Sequence, residues 1–169
     1  IYDVKSSYDL FQIFGDNGPL KAMERLRDQG AVRFIGLTGH YEPPSLLEAI
    51  DRYPFDTILM TLNAADRWYS PTQEQLLPAA MEKNMGIIGM KMFAKQNILG
   101  SSKLTVQQAM HYVLSFPVST AIIGIRSLAE LDEDVTIASG FSEPLSAAEL
   151  EQLELATQPY EADCNYFKN

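Results

Sequence analysis

The chain has 169 residues, 46% of them hydrophobic and 21% charged, with a net charge of −9 and a pI near 4.6. That length suits one domain, residues 1–169, able to bury a real core, and such an acidic surface argues against nucleic acid or anionic membranes as partners. One cysteine, Cys164, excludes an internal disulfide framework and any multi-cysteine metal centre, and no run is long and apolar enough to read as a membrane span or signal peptide, so a reducing cytoplasm is the expected setting.

In chain order, buried strand-like runs are predicted at Tyr8–Phe14, Arg33–Gly39, Asp56–Leu62, Gly86–Met92 and Ser119–Ile125, each followed by a helical pattern. The first helix, Pro19–Gln29, has proline in its first turn and Gly30 past its end, with Leu20, Met23 and Leu26 on one face. Pro43-Pro44 opens the next helix, with Leu46, Leu47 and Ile50 as its inner stripe. Thr72 caps a segment to Asn84 that Pro78 is expected to kink. Thr105 begins a helix to Ser115. Ser127 caps Leu128–Ser139 with Glu130 as capping-box partner, and Ser146 caps a last helix to Thr157 with Glu149.

The strand runs are nearly continuously apolar, the mark of parallel strands covered on both faces. Alternating strands and helices at this spacing give an α/β fold of the (β/α)8 TIM-barrel type. Five βα units plus a C-terminal helix make an incomplete barrel, because a closed one takes about 250 residues. That shortfall, with Ile1 in place of an initiator methionine, reads as the later part of a longer polypeptide.

In parallel α/β folds ligands gather at the carboxyl ends of the strands, which directs attention to five loops. Thr38-Gly39-His40-Tyr41 offers a hydroxyl able to bond a carboxamide, a flexible backbone and an imidazole, or else a capping turn. Asn63 reads as a ligand-orienting amide or a loop tie; Asp66 and Arg67 as loop ties; Trp68 and Tyr69 as a pocket wall or loop packing. Lys91-Met92-Phe93-Ala94-Lys95 puts two cations at the mouth of an acidic protein, a natural phosphate site, with Lys91 the stronger candidate. Gly124-Ile125-Arg126-Ser127 joins close backbone approach, a helix N-terminus and a guanidinium, the strongest anion-binding signal in the chain. Arg126 pairing with a nearby carboxylate is the alternative. His111 reads as structural, Met23, Met81 and Met110 as core, and Glu149, Glu151 and Glu154 as solvated.

Asp9-Leu10-Phe11-Gln12-Ile13, Arg33 to His40, Gly86 to Ala94 and Ala121 to Ser127, in that order and spacing, resemble the aldo-keto reductase family from its fourth barrel strand onward. The resemblance implies a metal-free barrel that passes a hydride between NADPH, or NADH, and a small-molecule carbonyl or alcohol. It implies that Thr38 and Gly39 hold the nicotinamide carboxamide and that the ring stacks on Met90. Lys91, Met92, Phe93 and Ala94 would cross the pyrophosphate. Gly124, Arg126, Ser127 and the segment to Asp134 would grip the adenosine end and its 2′-phosphate. The family's catalytic Asp, Tyr and Lys have no counterpart here, and Phe14 falls at its catalytic histidine. Its nicotinamide-binding glutamine falls near Leu59, and a later arginine near Glu130, whose carboxylate repels a 2′-phosphate unless Arg126 compensates. Two other readings are a non-catalytic nucleotide-binding or interaction subunit of the same fold, motivated by Phe14, and a phosphate-handling barrel enzyme using Gly124–Ser127.

Overall fold

A computed structural model describes residues 1–41, 43–100 and 103–168. Its helices are α1 (Ser7–Phe14), α2 (Pro19–Asp28), α3 (Pro43–Arg52), α4 (Thr72–Glu82), α5 (Val106–Leu114), α6 (Leu128–Gly140), α7 (Ala147–Thr157) and α8 (Glu161–Asn165). The strands are β1 (Gly36–Gly39), β2 (Thr57–Thr61), β3 (Gly86–Met90) and β4 (Thr120–Ala121). They form one parallel sheet in the order β1-β2-β3-β4, an open arc of a barrel. Among the described residues no helix is long and apolar enough to cross a membrane.

Neighbouring strands are in register, so residues paired across the sheet share a face. Leu37, Ile58, Met60 and Ile87 point under the helices and join Leu10, Leu46, Ile50 and Leu76 in one core. The other face carries Thr38, Leu59, Ile88 and Met90, with Leu59 and Ile88 half-buried because no further strand closes over them. A second core lies at the carboxyl end of the sheet: Leu62, Met92, Ile98, Met110, Tyr112 and Val113 meet Leu153, Cys164 and Phe167 of the C-terminal segment. Burial holds the Cys164 thiol up at about 11, so it stays protonated in the native protein.

The first predicted strand is a helix. Ser6 and Asp9 form a capping box, and Leu10 and Ile13 turn inward while Tyr8 and Phe11 face solvent. The run's apolar residues fit a three-residue step as well as a strand, and the cap decides between them. Residues 1–4 flank β1 instead, with Val4 N donating to Thr38 O at 2.9 Å and Thr38 N to Ile1 O at 3.0 Å. Phe14 therefore ends α1, beneath the Arg52 guanidinium, 4.1 Å from its ring centroid. Arg52 closes α3 just before β2 begins, so Phe14 lies at the end of the sheet opposite the strand-end loops.

Other departures are smaller. The run Ser119–Ile125 is a strand only at Thr120–Ala121, with Ser119 and Ile122 each adding one backbone bond to β3. As the edge strand it has a single neighbour, and Ile122 and Ile125 are exposed. Pro78 sits inside α4, which continues as one helix. Met110 is buried and Met23 half-buried, but Met81 is exposed. His111 is half-buried, its ring 5.2 Å from that of Phe141.

Candidate functional site

At the carboxyl ends of β3 and β4 a cleft of about 320 Å³ opens. It is lined by Leu59 from β2, by Met90 to Phe93, Lys95 and Gln96 after β3, and by Ile122 to Gly124 after β4. The loop after β3 makes it possible. Lys91 has φ 59°, and Ala94, Lys95 and Gln96 follow at φ 46°, 55° and 78°. Left-handed conformations cost non-glycine residues about 1–3 kcal/mol each and persist where the surroundings impose them. Here the loop folds back on itself, with Ala94 N donating to Lys91 O at 2.7 Å and Asn97 N to Ala94 O at 3.1 Å. This keeps Met92, Phe93 and Ala94 buried while Lys91 and Lys95 stay at the cleft.

Lys91 is desolvated by partial burial, and this, reinforced by the Lys95 cation, lowers its pKa from the ordinary lysine value. Neither ammonium has a carboxylate partner among the described residues. Instead Lys91 Nζ is 5.9 Å from the Phe167 ring centroid and Lys95 Nζ 4.8 Å from that of Tyr166. At Gly124 an added Cβ would meet nothing within 4 Å, so the backbone lies open beside the cleft.

Thr38 is 8% exposed and stands beside Leu59 on the open sheet face, and its buried Oγ1 has no hydrogen-bond partner. A buried hydroxyl left unpaired is costly, so a ligand atom that meets it has an energetic advantage. Gly39 faces the helices, where an added Cβ would come within 2.9 Å of the Leu46 side chain. His40 follows on the rim, with Nδ1 3.1 Å from Asp3 Oδ1.

Asn63 takes the tie role. Its amide donates to Lys91 O at 3.1 Å and its carbonyl accepts from Ala65 N at 2.9 Å, locking the ends of β2 and β3 together. Asp66 is fully buried against Lys168, Nζ to Oδ1 2.6 Å, and Arg67 pairs with Glu154. Trp68 and Tyr69 line a separate cavity of about 220 Å³ with Glu161, Ala162 and Asn165.

Arg126 is exposed at the N-terminus of α6 and does not line the cleft. Glu130 accepts from its backbone N at 2.7 Å, Nη2 at 2.8 Å and Nε at 3.1 Å, and these bonds hold that carboxyl below the usual range. Ser127 caps α6 through Glu130 N at 3.2 Å. Asp134 lies about 10 Å further along the helix, buried, its pKa raised first by burial and then by Glu133 and Glu130. The structure thus gathers Met90, Lys91, Met92, Phe93 and Gly124 at one cleft, sets Thr38 nearby on the same face, and leaves Arg126, Ser127 and Asp134 outside its lining.

A raised carboxyl pKa means that the native state holds a proton the unfolded chain has lost, between about 3.8 and the higher folded value. The favourable contribution is complete below that window and is lost as pH rises through it. Asp134→Asn is therefore expected to raise the melting temperature at neutral pH by about 2 °C, and the gain should vanish on acidification. Thermal melts of both proteins across pH check this.

Lys95, ranked behind Lys91 in the sequence, lines the same cleft, and Glu154, expected to be solvated, is buried. Glu154 accepts from the Tyr112 hydroxyl at 2.7 Å and from Gln73 Nε2 at 3.2 Å. Its place between apolar Leu153 and Leu155 offers no signal, because its partners lie over 40 residues away. Among the described residues no group of three or more His, Cys, Asp or Glu converges as a metal site.

No family model and no curated protein matches the chain. Solved structures do. The holo form of the aldo-keto reductase AKR11C1 from Bacillus halodurans superposes with a TM-score of 0.63 at 19% identity, covering 80% of this chain and 54% of that one. Its apo form gives 0.63 at 18% identity, covering 83% and 58%. The chain spans little more than half the length of these structures. At such identity the likeness shows the fold alone: a partial barrel of the aldo-keto reductase kind, its sheet open.

Proposed function

We propose that the protein is a nicotinamide-dependent oxidoreductase of the aldo-keto reductase type, and that this chain supplies the cofactor-binding rim. The observation that carries this reading is the cleft after β3, where two lysines without carboxylate partners among the described residues stand beside apolar walls in a protein of net charge −9. The donor set suits a dinucleotide. Lys91, Lys95 and the open backbone at Gly124 offer cations and close approach to phosphates, Met90 and Phe93 offer apolar surface to a ring, and the unpaired Thr38 hydroxyl suits a carboxamide. When bound, the nicotinamide would supply the hydride that turns a carbonyl into an alcohol. The protein's part is to hold and orient it and to exclude water, which accounts for much of the rate enhancement in such reactions.

NADPH is the expected cofactor, with NADH also accepted, because the Arg126 guanidinium that would meet a 2′-phosphate is engaged by Glu130. The non-catalytic reading loses its motive, since Phe14 stands at the far end of the sheet from the rim. Fluorescence titration with NADPH and NADH tests the proposal: saturable binding of both is expected, and Glu130→Gln should favour NADPH over NADH about fivefold more than the wild type does, from the loss of one exposed charge. Binding of neither dinucleotide would remove the proposal.

A further inference from the structure

Lys91 combines features that no phosphate-binding role requires. Lys91 lines a cleft with Leu59, Met90, Phe93 and Ile122, its Nζ lies 5.9 Å from the Phe167 ring centroid, and among the described residues its ammonium makes no hydrogen bond or ion pair. Asp3, the carboxylate acting on it, is engaged by His40 at 3.1 Å and by Lys5 at 4.0 Å. Lys95 lines the same cleft, also without an ion pair among the described residues. An amine in apolar surroundings beside a second cation favours its neutral, nucleophilic form, the form that condenses with carbonyls. The direction of the Lys91 shift, set first by burial and then by Lys95 and opposed by Tyr166 and Asp3, agrees.

We propose that Lys91 forms a reversible imine with small 2-oxo acids, Lys95 holding the carboxylate. The neutral amine of Lys91 attacks the carbonyl carbon. A C–N bond forms, the carbonyl oxygen becomes the hydroxyl of a carbinolamine, and that oxygen then leaves with both amine hydrogens as water, giving C=N. No oxidant or reductant is consumed. This activity uses the cleft but does not depend on the nicotinamide reading.

The test traps the imine on the full chain with glyoxylate and cyanoborohydride at neutral pH, followed by peptide mass mapping. Lys91 is expected to be carboxymethylated about tenfold faster than the exposed Lys5, Lys21 and Lys83, because a larger share of its amine is neutral. The ratio should be larger for glyoxylate than for propanal, which has no carboxylate. Lys91→Arg, which keeps the charge, should lose the modification at this position while leaving the surface lysines unchanged. Equal rates at Lys91 and the exposed lysines would overturn the proposal, as would a ratio no larger for glyoxylate than for propanal. Adding NADPH separates the two readings: slowed trapping at Lys91 supports the shared cleft, whereas unchanged trapping counts against the cofactor reading and leaves the imine standing.

Discussion

Lys168→Ala is expected to cost about 3–5 kcal/mol of stability, the loss seen when one partner of a buried ion pair is removed. Both side chains are fully buried, with Nζ 2.6 Å from Asp66 Oδ1. Asp66 also accepts from Thr72 N at 2.8 Å, from Thr72 Oγ1 at 3.0 Å and from Thr61 Oγ1 at 3.0 Å. The ammonium donates to Tyr69 O at 2.6 Å and Ser70 O at 3.2 Å. Without the lysine, a carboxylate stays buried with its countercharge gone, and the C-terminal segment carrying Phe167 and Tyr166 loses its anchor on the rim. The double variant Asp66→Asn, Lys168→Met should recover a large part of the loss, because it removes both charges. Urea denaturation at constant slope measures both. A single-variant loss under about 1 kcal/mol would mean that the pair is solvated in practice.

Tyr112→Ala comes next, at about 3–5 kcal/mol. Tyr112 is fully buried on α5, its ring 5.2 Å from that of Phe116. Its hydroxyl donates to Glu154 Oε1 at 2.7 Å and lies 2.9 Å from Gln73 Oε1, bringing α5 against α7 and α4. Burial and the Glu154 carboxylate push the phenol well above its ordinary pKa, so it stays a donor at every working pH. Tyr112→Phe isolates the hydroxyl and should cost about 1–3 kcal/mol, since Glu154 then loses a buried donor. The difference between the two variants, read from the same denaturation curves, is the worth of the ring.

Much of the sheet was legible because β2 and β3 are apolar runs bounded by turn residues, and the caps at Thr105, Ser127 and Ser146 stand where their hydroxyls announce them. Tyr8–Phe14 misled because its apolar spacing suits either period, and the deciding group, Asp9, acts through the cap and not through the run. Lys91 and Gly124 were legible as strand-end residues. The fate of Arg126 was not, since Glu130 serves equally well as a capping-box partner of Ser127 and as a partner for the guanidinium, and geometry selects the second. The contacts that fasten the C-terminal segment join residues far apart in the chain, such as Asn165 Nδ2 to Ala65 O at 2.9 Å and Thr157 Oγ1 to Ala64 O at 3.0 Å. Local pattern carries no trace of such pairings, so nothing in the sequence placed Cys164 and Phe167 in the core at the carboxyl end of the sheet.

Amide chemical-shift mapping during titration with NADPH is the most direct measurement of whether this rim seats a dinucleotide. The predicted result is a set of saturating shifts confined to Met90–Gln96, Ile122–Gly124 and the neighbourhood of Thr38. Shifts confined to other surfaces, or none at all, would contradict it.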